Sequence, residues 1–105
     1  SLPVACCDVA FTVSVLNHNP TPQWRSIYDD LVRISRTAVV LLEPFDQGLD
    51  YEIGEHGITA PSFSWCHDYL SHDPALKLIS QLDVGDPSSL WADFGRLYHM
   101  LVRHI

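Results

Sequence analysis

The sequence predicts an α/β fold built around parallel strands. Two runs, Asp8–Leu16 and Thr37–Leu42, are almost entirely apolar or β-branched, which is typical of strands that are covered on both faces. Between them, large apolar residues recur at helical spacing. A strand, a helix and a strand joined by short connections form a βαβ unit, so we expect parallel strands and a right-handed crossover.

The first strand should run over Asp8–Leu16 and end at short polar residues. Thr21 is a suitable N-cap for the helix that follows, and Pro22 suits the first helical position. The helix should end near Ser35 or Arg36, and the second strand should end at Glu43-Pro44. Two fully apolar strands predict helices on both faces of the sheet.

The second half of the chain predicts fewer regular elements. Phe45–Pro61 contains three glycines and is expected to be a long binding loop. A short helix is expected over Ser64–Ser71, a strand over Leu76–Val84 and a turn over Gly85–Ser89. Arg96–Ile105 is expected to be a final strand, and the two closing strands should pair antiparallel at the margin of the sheet.

Length and charge limit the classes of function. At 105 residues the chain holds one domain at most. A net charge of −7 with six Lys and Arg argues against nucleic acid or an anionic membrane as partner. No apolar run reaches the roughly 20 residues of a membrane span. Three cysteines cannot all pair within one chain, so we expect reduced thiols in a cytoplasmic protein.

Three segments in this order resemble a known enzyme family. They are Asp8–His18, then Arg33-Ile34-Ser35-Arg36, and then Leu41-Leu42-Glu43-Pro44. Together they resemble the fourth strand, the following helix end and the fifth strand of class I S-adenosylmethionine-dependent methyltransferases, which have a Rossmann-like sheet. The ending Phe94–Leu101 is similar to the last, antiparallel strand of that family. The resemblance therefore implies a partial domain over residues 1–105, containing the last four strands of such a sheet with flanking helices.

The chain departs from this family in its cofactor-binding half. It has no glycine-rich G-x-G sequence, and Asn17-His18 stands where the family usually has Glu-His. In the family the fourth strand pairs with the first, which has no counterpart here, so residues 8–16 should form an unprotected apolar edge. We therefore expect the chain to need a partner, either the missing N-terminal half, another chain or a second copy paired through residues 8–16.

The resemblance also implies roles for particular residues. Ser14, Leu16 and Asn17 would contact S-adenosylmethionine, which the chain is not expected to bind alone. His18 would position or deprotonate a small-molecule substrate, a role that suits its reference pKa near 6.5. The remaining candidates lie after the fifth strand or at its end and would contact the substrate: Glu43, Tyr51, His67 and Tyr69.

Other interpretations remain open. Without the resemblance, Asn17 and His18 are simply a polar turn that ends a strand. The acidic stretch between Arg36 and Lys77 has no spacing typical of a metal site, and a Cys66 nucleophile lacks an accompanying glycine motif. The chain is then either part of a methyltransferase or a non-catalytic module that associates through its exposed strand. A flavodoxin-like binding domain would need a phosphate loop, which the sequence lacks.

Overall fold

The computed structural model describes residues 2–56, 62–82 and 97–105, and these form an α/β fold with a mixed four-stranded sheet. A separate two-stranded hairpin and two helices accompany the sheet. The elements are β1 (Cys7–Val13), a 3-10 turn (Leu16–His18), α1 (Gln23–Ile34), β2 (Ser35–Pro44), β3 (Tyr51–His56), β4 (Ser62–Cys66), α2 (Tyr69–His72), β5 (Lys77–Gln81) and β6 (Tyr98–His104).

The strand order of the main sheet is β1-β2-β6-β5. β1 and β2 are parallel, with α1 between them in sequence, so the predicted βαβ unit is confirmed. β6 is antiparallel to both β2 and β5. This confirms an antiparallel final strand and an antiparallel pair of closing strands at the margin, where β5 is the edge. The turn predicted over Gly85–Ser89 lies outside the described residues.

The first strand is shorter than predicted. β1 ends at Val13, because Ser14 has a positive φ of 52° and turns the chain out of the sheet. Leu16–His18 then forms a 3-10 turn instead of continuing the strand. The prediction that the strand reaches Leu16 was therefore wrong, because the backbone changes direction at Ser14.

The first helix matches its predicted position but not its predicted cap. Pro22 occupies the cap position, after a cis Thr21–Pro22 peptide bond, and no side chain caps the helix. Thr21 Oγ1 instead accepts a hydrogen bond from Trp24 Nε1 at 2.8 Å. The helix ends at Ile34, and Ser35 already belongs to β2.

The long loop predicted over Phe45–Pro61 was wrong for residues 51–56, which form β3, while residues 57–61 lie outside the described residues. The first half of the helix predicted over Ser64–Ser71 was also wrong. β3 and β4 pair antiparallel in this region, with Tyr51 opposite Cys66 and Glu52 opposite Trp65. The segment Ser62–Cys66 alternates small and large residues with a period of two, which is a strand pattern. Only α2 remains of the predicted helix.

The hydrophobic core lies on one face of the main sheet, called here the covered face. Both described helices pack there, and the buried residues include Trp24 and Tyr28 of α1 with Leu41 of β2 and Leu101 of β6. The prediction of helices on both faces is therefore confirmed for one face. Helices on the opposite face stay a prediction, because none of the described residues forms one there.

The opposite face, called here the open face, presents apolar side chains along β1. Val9, Phe11 and Val13 expose 46%, 69% and 54% of their surface, while the intervening Ala10 and Thr12 are buried on the covered face. β1 pairs only with β2 in the described sheet, so its outer edge is also unpaired there. This edge agrees with the expectation drawn for residues 8–16.

Candidate functional site

The candidate site lies where the carboxyl ends of β1 and β2 meet. Val13 is level with Leu42 in the parallel pair, and the Ser14 N–H still donates to the Leu42 carbonyl at 3.0 Å. The chain then leaves β1 through the turn of residues 14–18, called here the site turn. In open α/β sheets, ligands bind beyond the carboxyl ends of parallel strands, so this turn occupies the position where a ligand is expected.

Glu43 fastens the site turn to the end of β2. Its side chain is fully buried, and its two oxygens accept hydrogen bonds from the backbone N–H groups of Val15 and Asn17, each at 3.0 Å. Burial raises the pKa of Glu43 above its usual value, although these two amides pull it in the opposite direction. Both carboxylate oxygens are thus occupied by backbone donors, and the predicted substrate contact of Glu43 stays a prediction.

Asn17 carries an unusual buried amide. The residue is fully buried, and neither its Oδ1 nor its Nδ2 has a hydrogen-bond partner in the described part of the chain. An amide that is buried without partners costs about 1–3 kcal/mol for each unsatisfied group, so such groups in native proteins call for an explanation such as an ordered water or a ligand. Asn17 therefore has the polar capacity that its predicted role requires.

His18 is the exposed titratable residue of the site turn. Its Nδ1 lies 3.4 Å from the hydroxyl oxygen of Ser64 on β4, and Ser64 is fully buried. The β3–β4 hairpin thus contacts the site turn. An exposed imidazole at the end of a parallel strand has the chemistry for proton transfer to a bound molecule.

His67 is a structural contact within the same region. Its ring is fully buried and stacks on Trp24, with ring centroids 5.0 Å apart. Its Nε2 lies 2.7 Å from the Asn19 carbonyl oxygen, and its Nδ1 lies 3.4 Å from Asp50 Oδ1. His67 therefore links Asn19, the residue after the site turn, to α1, and both of its ring nitrogens already have neighbours.

The two tyrosines predicted to contact substrate lie in different environments. Tyr69 is fully buried against Trp24 and Phe45, and its hydroxyl has no partner in the described ranges. Tyr51 lies on β3, is partly exposed and donates to Asp46 Oδ2 at 3.2 Å. Burial raises the pKa of Tyr51 to about 12. The structure thus brings Tyr69 next to the core of the site and leaves Tyr51 at its periphery.

The three residues predicted to contact S-adenosylmethionine fit that role unequally. Asn17 fits, because its buried amide has free donors and acceptors. The Leu16 side chain belongs to the hydrophobic core, and the Ser14 hydroxyl is hydrogen-bonded to the hydroxyl of Tyr98. Of the three, only Asn17 could therefore offer a polar contact to such a cofactor.

The three cysteines are unpaired, and Cys66 is buried. Burial raises the pKa of Cys66 to about 11, so the group is a neutral thiol at neutral pH and a poor nucleophile. Within residues 2–56, 62–82 and 97–105, no three His, Cys, Asp or Glu side chains come together in a way that would hold a metal ion.

Two residues of this region were missed by the sequence reasoning. Ser64, next to His18, belongs to the alternating segment that indicates β4 and was assigned to a helix. Asp73 accepts hydrogen bonds from Tyr28 at 2.6 Å and Arg103 at 3.1 Å, which joins α1, the end of α2 and β6. No local pattern around Asp73 points to these contacts, because its partners are 45 and 30 residues away.

None of the helices in the described part of the chain is long and apolar enough to cross a membrane. Comparison of the chain with protein-family models, curated proteins and solved structures finds no significant match. The resemblance to methyltransferases therefore stays a prediction.

Proposed function

We propose that this chain is the substrate-side half of an S-adenosylmethionine-dependent methyltransferase, and that it binds cofactor only when another strand pairs with β1. The observation that carries the proposal is the β1 edge. It is unpaired in the described sheet, and Val9, Phe11 and Val13 beside it are exposed. Exposed apolar edge strands are normally blunted or covered, since they pair readily with other strands.

The directions of the strands support the same proposal. The resemblance implies parallel strands joined by a helix and a final antiparallel strand, and β1, α1, β2 and β6 have these relations. The site turn supports it as well. It presents the unsatisfied Asn17 amide and the exposed His18 ring at the carboxyl end of β1.

The proposed roles follow from these positions. S-adenosylmethionine, when bound, supplies the methyl group. Asn17 donates and accepts hydrogen bonds with one polar group of the cofactor, and His18 orients or deprotonates the acceptor atom of a small-molecule substrate. The proposal includes a cytoplasmic location, with which three unpaired thiols agree.

The test is reconstitution with the segment encoded immediately upstream. Calorimetric titration of S-adenosylmethionine should give no heat of binding with this chain alone and saturable binding when the two segments are co-expressed. Phe11→Lys at the β1 edge should abolish that binding. Leu78→Lys is the matched control on β5, the opposite edge, where Leu78 is also exposed. Binding by the chain alone, or no binding by the pair, would overturn the proposal.

A second candidate is a non-catalytic module that associates through β1. It is favoured by the burial of most predicted site residues, since Leu16, Glu43, His67 and Tyr69 are fully buried. Under this function, light scattering should show association that Phe11→Lys abolishes and Leu78→Lys retains, while S-adenosylmethionine binds in no combination. A wild-type chain that stays monomeric at high concentration and with the upstream segment would exclude both functions.

A further inference from the structure

Glu43 differs from the other carboxylates that have hydrogen bonds in this structure. It is fully buried, and no ion pair among the described residues includes it. Asp73, by comparison, is paired with Arg103. Burying a carboxylate without a cation is costly, and two neutral backbone N–H groups could equally be satisfied by water or by a neutral side chain. A buried carboxyl group in this position therefore calls for a reason besides stability.

The two bonds of Glu43 are arranged around the site turn. Val15 and Asn17 are the residues on either side of Leu16, so the Glu43 carboxylate holds the turn by two backbone hydrogen bonds. Ser14, just before them, has a positive φ, a conformation that a non-glycine residue adopts only when its surroundings hold it there. The two hydrogen bonds therefore hold the backbone at Val15 and at Asn17, the residue before His18.

A carboxylate and a neutral carboxyl group grip such a turn differently. The ionised group accepts hydrogen bonds on both oxygens, whereas the protonated group has one oxygen that carries a hydrogen and becomes a donor. On protonation, one of the two backbone N–H groups therefore faces a weaker acceptor, and the new O–H group needs an acceptor of its own. A buried polar group left unsatisfied costs about 1–3 kcal/mol, which is enough to shift the turn toward other conformations.

We propose that Glu43 is a positioning residue that holds Asn17 and His18 in place through its ionised carboxylate, and that the site turn loosens when this carboxylate is protonated. This role deepens the proposed function. It rests on that function only for the roles of Asn17 and His18 in contacting cofactor and substrate. The hydrogen bonds from Val15 and Asn17 to Glu43 form within this chain and need no cofactor or substrate. Glu43 thus has a role at the turn that requires no contact with substrate.

Other titratable groups face Glu43 and must be separated from it. His18 lies in the site turn, Tyr69 on α2 and Tyr98 on β6, each close enough to interact with the Glu43 charge. His99 on β6 is its antiparallel partner in the sheet. The tyrosines stay neutral across the acidic range because burial raises the pKa of both. The two histidines are therefore the groups that a control must remove.

The test is a titration of backbone amide resonances by NMR, from about pH 8 to about pH 4, the range that spans His and Glu titration. In the wild-type chain, the amide protons of Val15 and Asn17 should move together with one shared midpoint above the usual Glu value. Glu43→Gln should abolish both shifts. Glu52→Gln, the same change at an exposed position on β3, should leave them intact.

His18→Gln and His99→Gln should each leave the shared midpoint in place. If the midpoint disappears with either histidine, or if the two amides titrate separately or not at all, the proposal is overturned. Should Glu43→Gln fail to fold, the wild-type titration and the histidine variants decide the question. Because no cofactor is present, the result is independent of the reconstitution experiment. If Val15 and Asn17 titrate together but S-adenosylmethionine does not bind, the positioning role of Glu43 is retained and the methyltransferase function is rejected.

Discussion

The covered and open faces of the main sheet are built from the same strands but have opposite environments. On β1, Ala10 and Thr12 point to the covered face and are buried, whereas Phe11 between them is 69% exposed. On the covered face, α1 contributes Trp24 and Tyr28 to a core with Leu41. The open face carries comparable apolar side chains along β1 without such packing.

This difference indicates which apolar side chains already stabilise the fold and which could still stabilise an association. Fully burying a large apolar side chain contributes about 1.5–3 kcal/mol. The covered face has already gained this contribution within the chain. Val9, Phe11 and Val13 are still largely exposed, so most of their burial free energy would be gained only when a partner covers them. The free energy of unfolding should therefore be insensitive to the open face of β1 and highly sensitive to the covered face.

The covered face also holds two hydrogen-bonded carboxylates, Glu43 and Asp73, which differ in their electrostatics. Burial dominates at Glu43 and raises its pKa. Burial also raises the pKa of Asp73, but hydrogen bonds from Tyr28, the Ala75 N–H and Arg103, together with the Arg103 charge, lower it below its usual value. Its hydrogen bonds and ion pair thus favour the ionised form of Asp73, whereas burial disfavours the ionised form of Glu43.

Trp24→Ala should give the largest effect on the covered face. The indole is fully buried and contacts His67, Tyr69 and His72. Removing it should lower the free energy of unfolding by about 4 kcal/mol, through lost burial and the cavity left behind. Urea unfolding followed by circular dichroism measures this. Trp24→Phe is the control and should cost clearly less, since it keeps an aromatic ring; equal losses would mean that the ring does not pack as described.

Asp73→Ala should have the next largest effect, about 2–3 kcal/mol, because it leaves Tyr28 and Arg103 without their shared acceptor. A double-mutant cycle with Arg103→Met isolates the ion pair. Asp30→Ala, at an exposed ion pair with Arg33, is the control and should change stability by about 0.5 kcal/mol or less.

The pH dependence gives a second measurement at Asp73. Because its folded-state pKa is lowered, its contribution to stability is complete above the usual aspartate value and is lost as pH falls through the folded-state pKa. Unfolding free energies measured in acid should therefore decline less steeply for Asp73→Ala than for the wild type. An unchanged slope would contradict the ionised, hydrogen-bonded state of Asp73.

Much of the fold could be predicted because its signals are local. Helical spacing from Trp24 to Val32 and two apolar runs specify α1, β1 and β2. The β3–β4 hairpin was missed because its glycines suggested a loop, although Ser62–Cys66 alternates as a strand does. The exposure of one face of β1 could not be predicted, since an apolar run does not say which side is covered.

The candidate site was predictable only in part, because most of its contacts join residues that are far apart in the sequence. The end of an apolar strand pointed to Asn17 and His18, and the structure brings Glu43 against the first of them. That Glu43 faces backbone amides follows from the reversal at Ser14, which no sequence pattern around it indicates. The contacts of Asp73 and Ser64 are likewise long-range and have no local signal.

Phe11→Ala should have the smallest effect and tests the comparison most directly. In dilute solution, truncation of this open-face ring should change the free energy of unfolding by about 0.5 kcal/mol or less. Leu41→Ala, on the covered face of the neighbouring strand, is the matched truncation and should cost about 3 kcal/mol. If the wild type self-associates, its unfolding midpoint should rise with protein concentration, and Phe11→Ala should remove that dependence. A loss at Phe11 as large as that at Leu41, independent of concentration, would mean that the chain covers this face itself, and the proposed pairing through β1 would lose its physical basis.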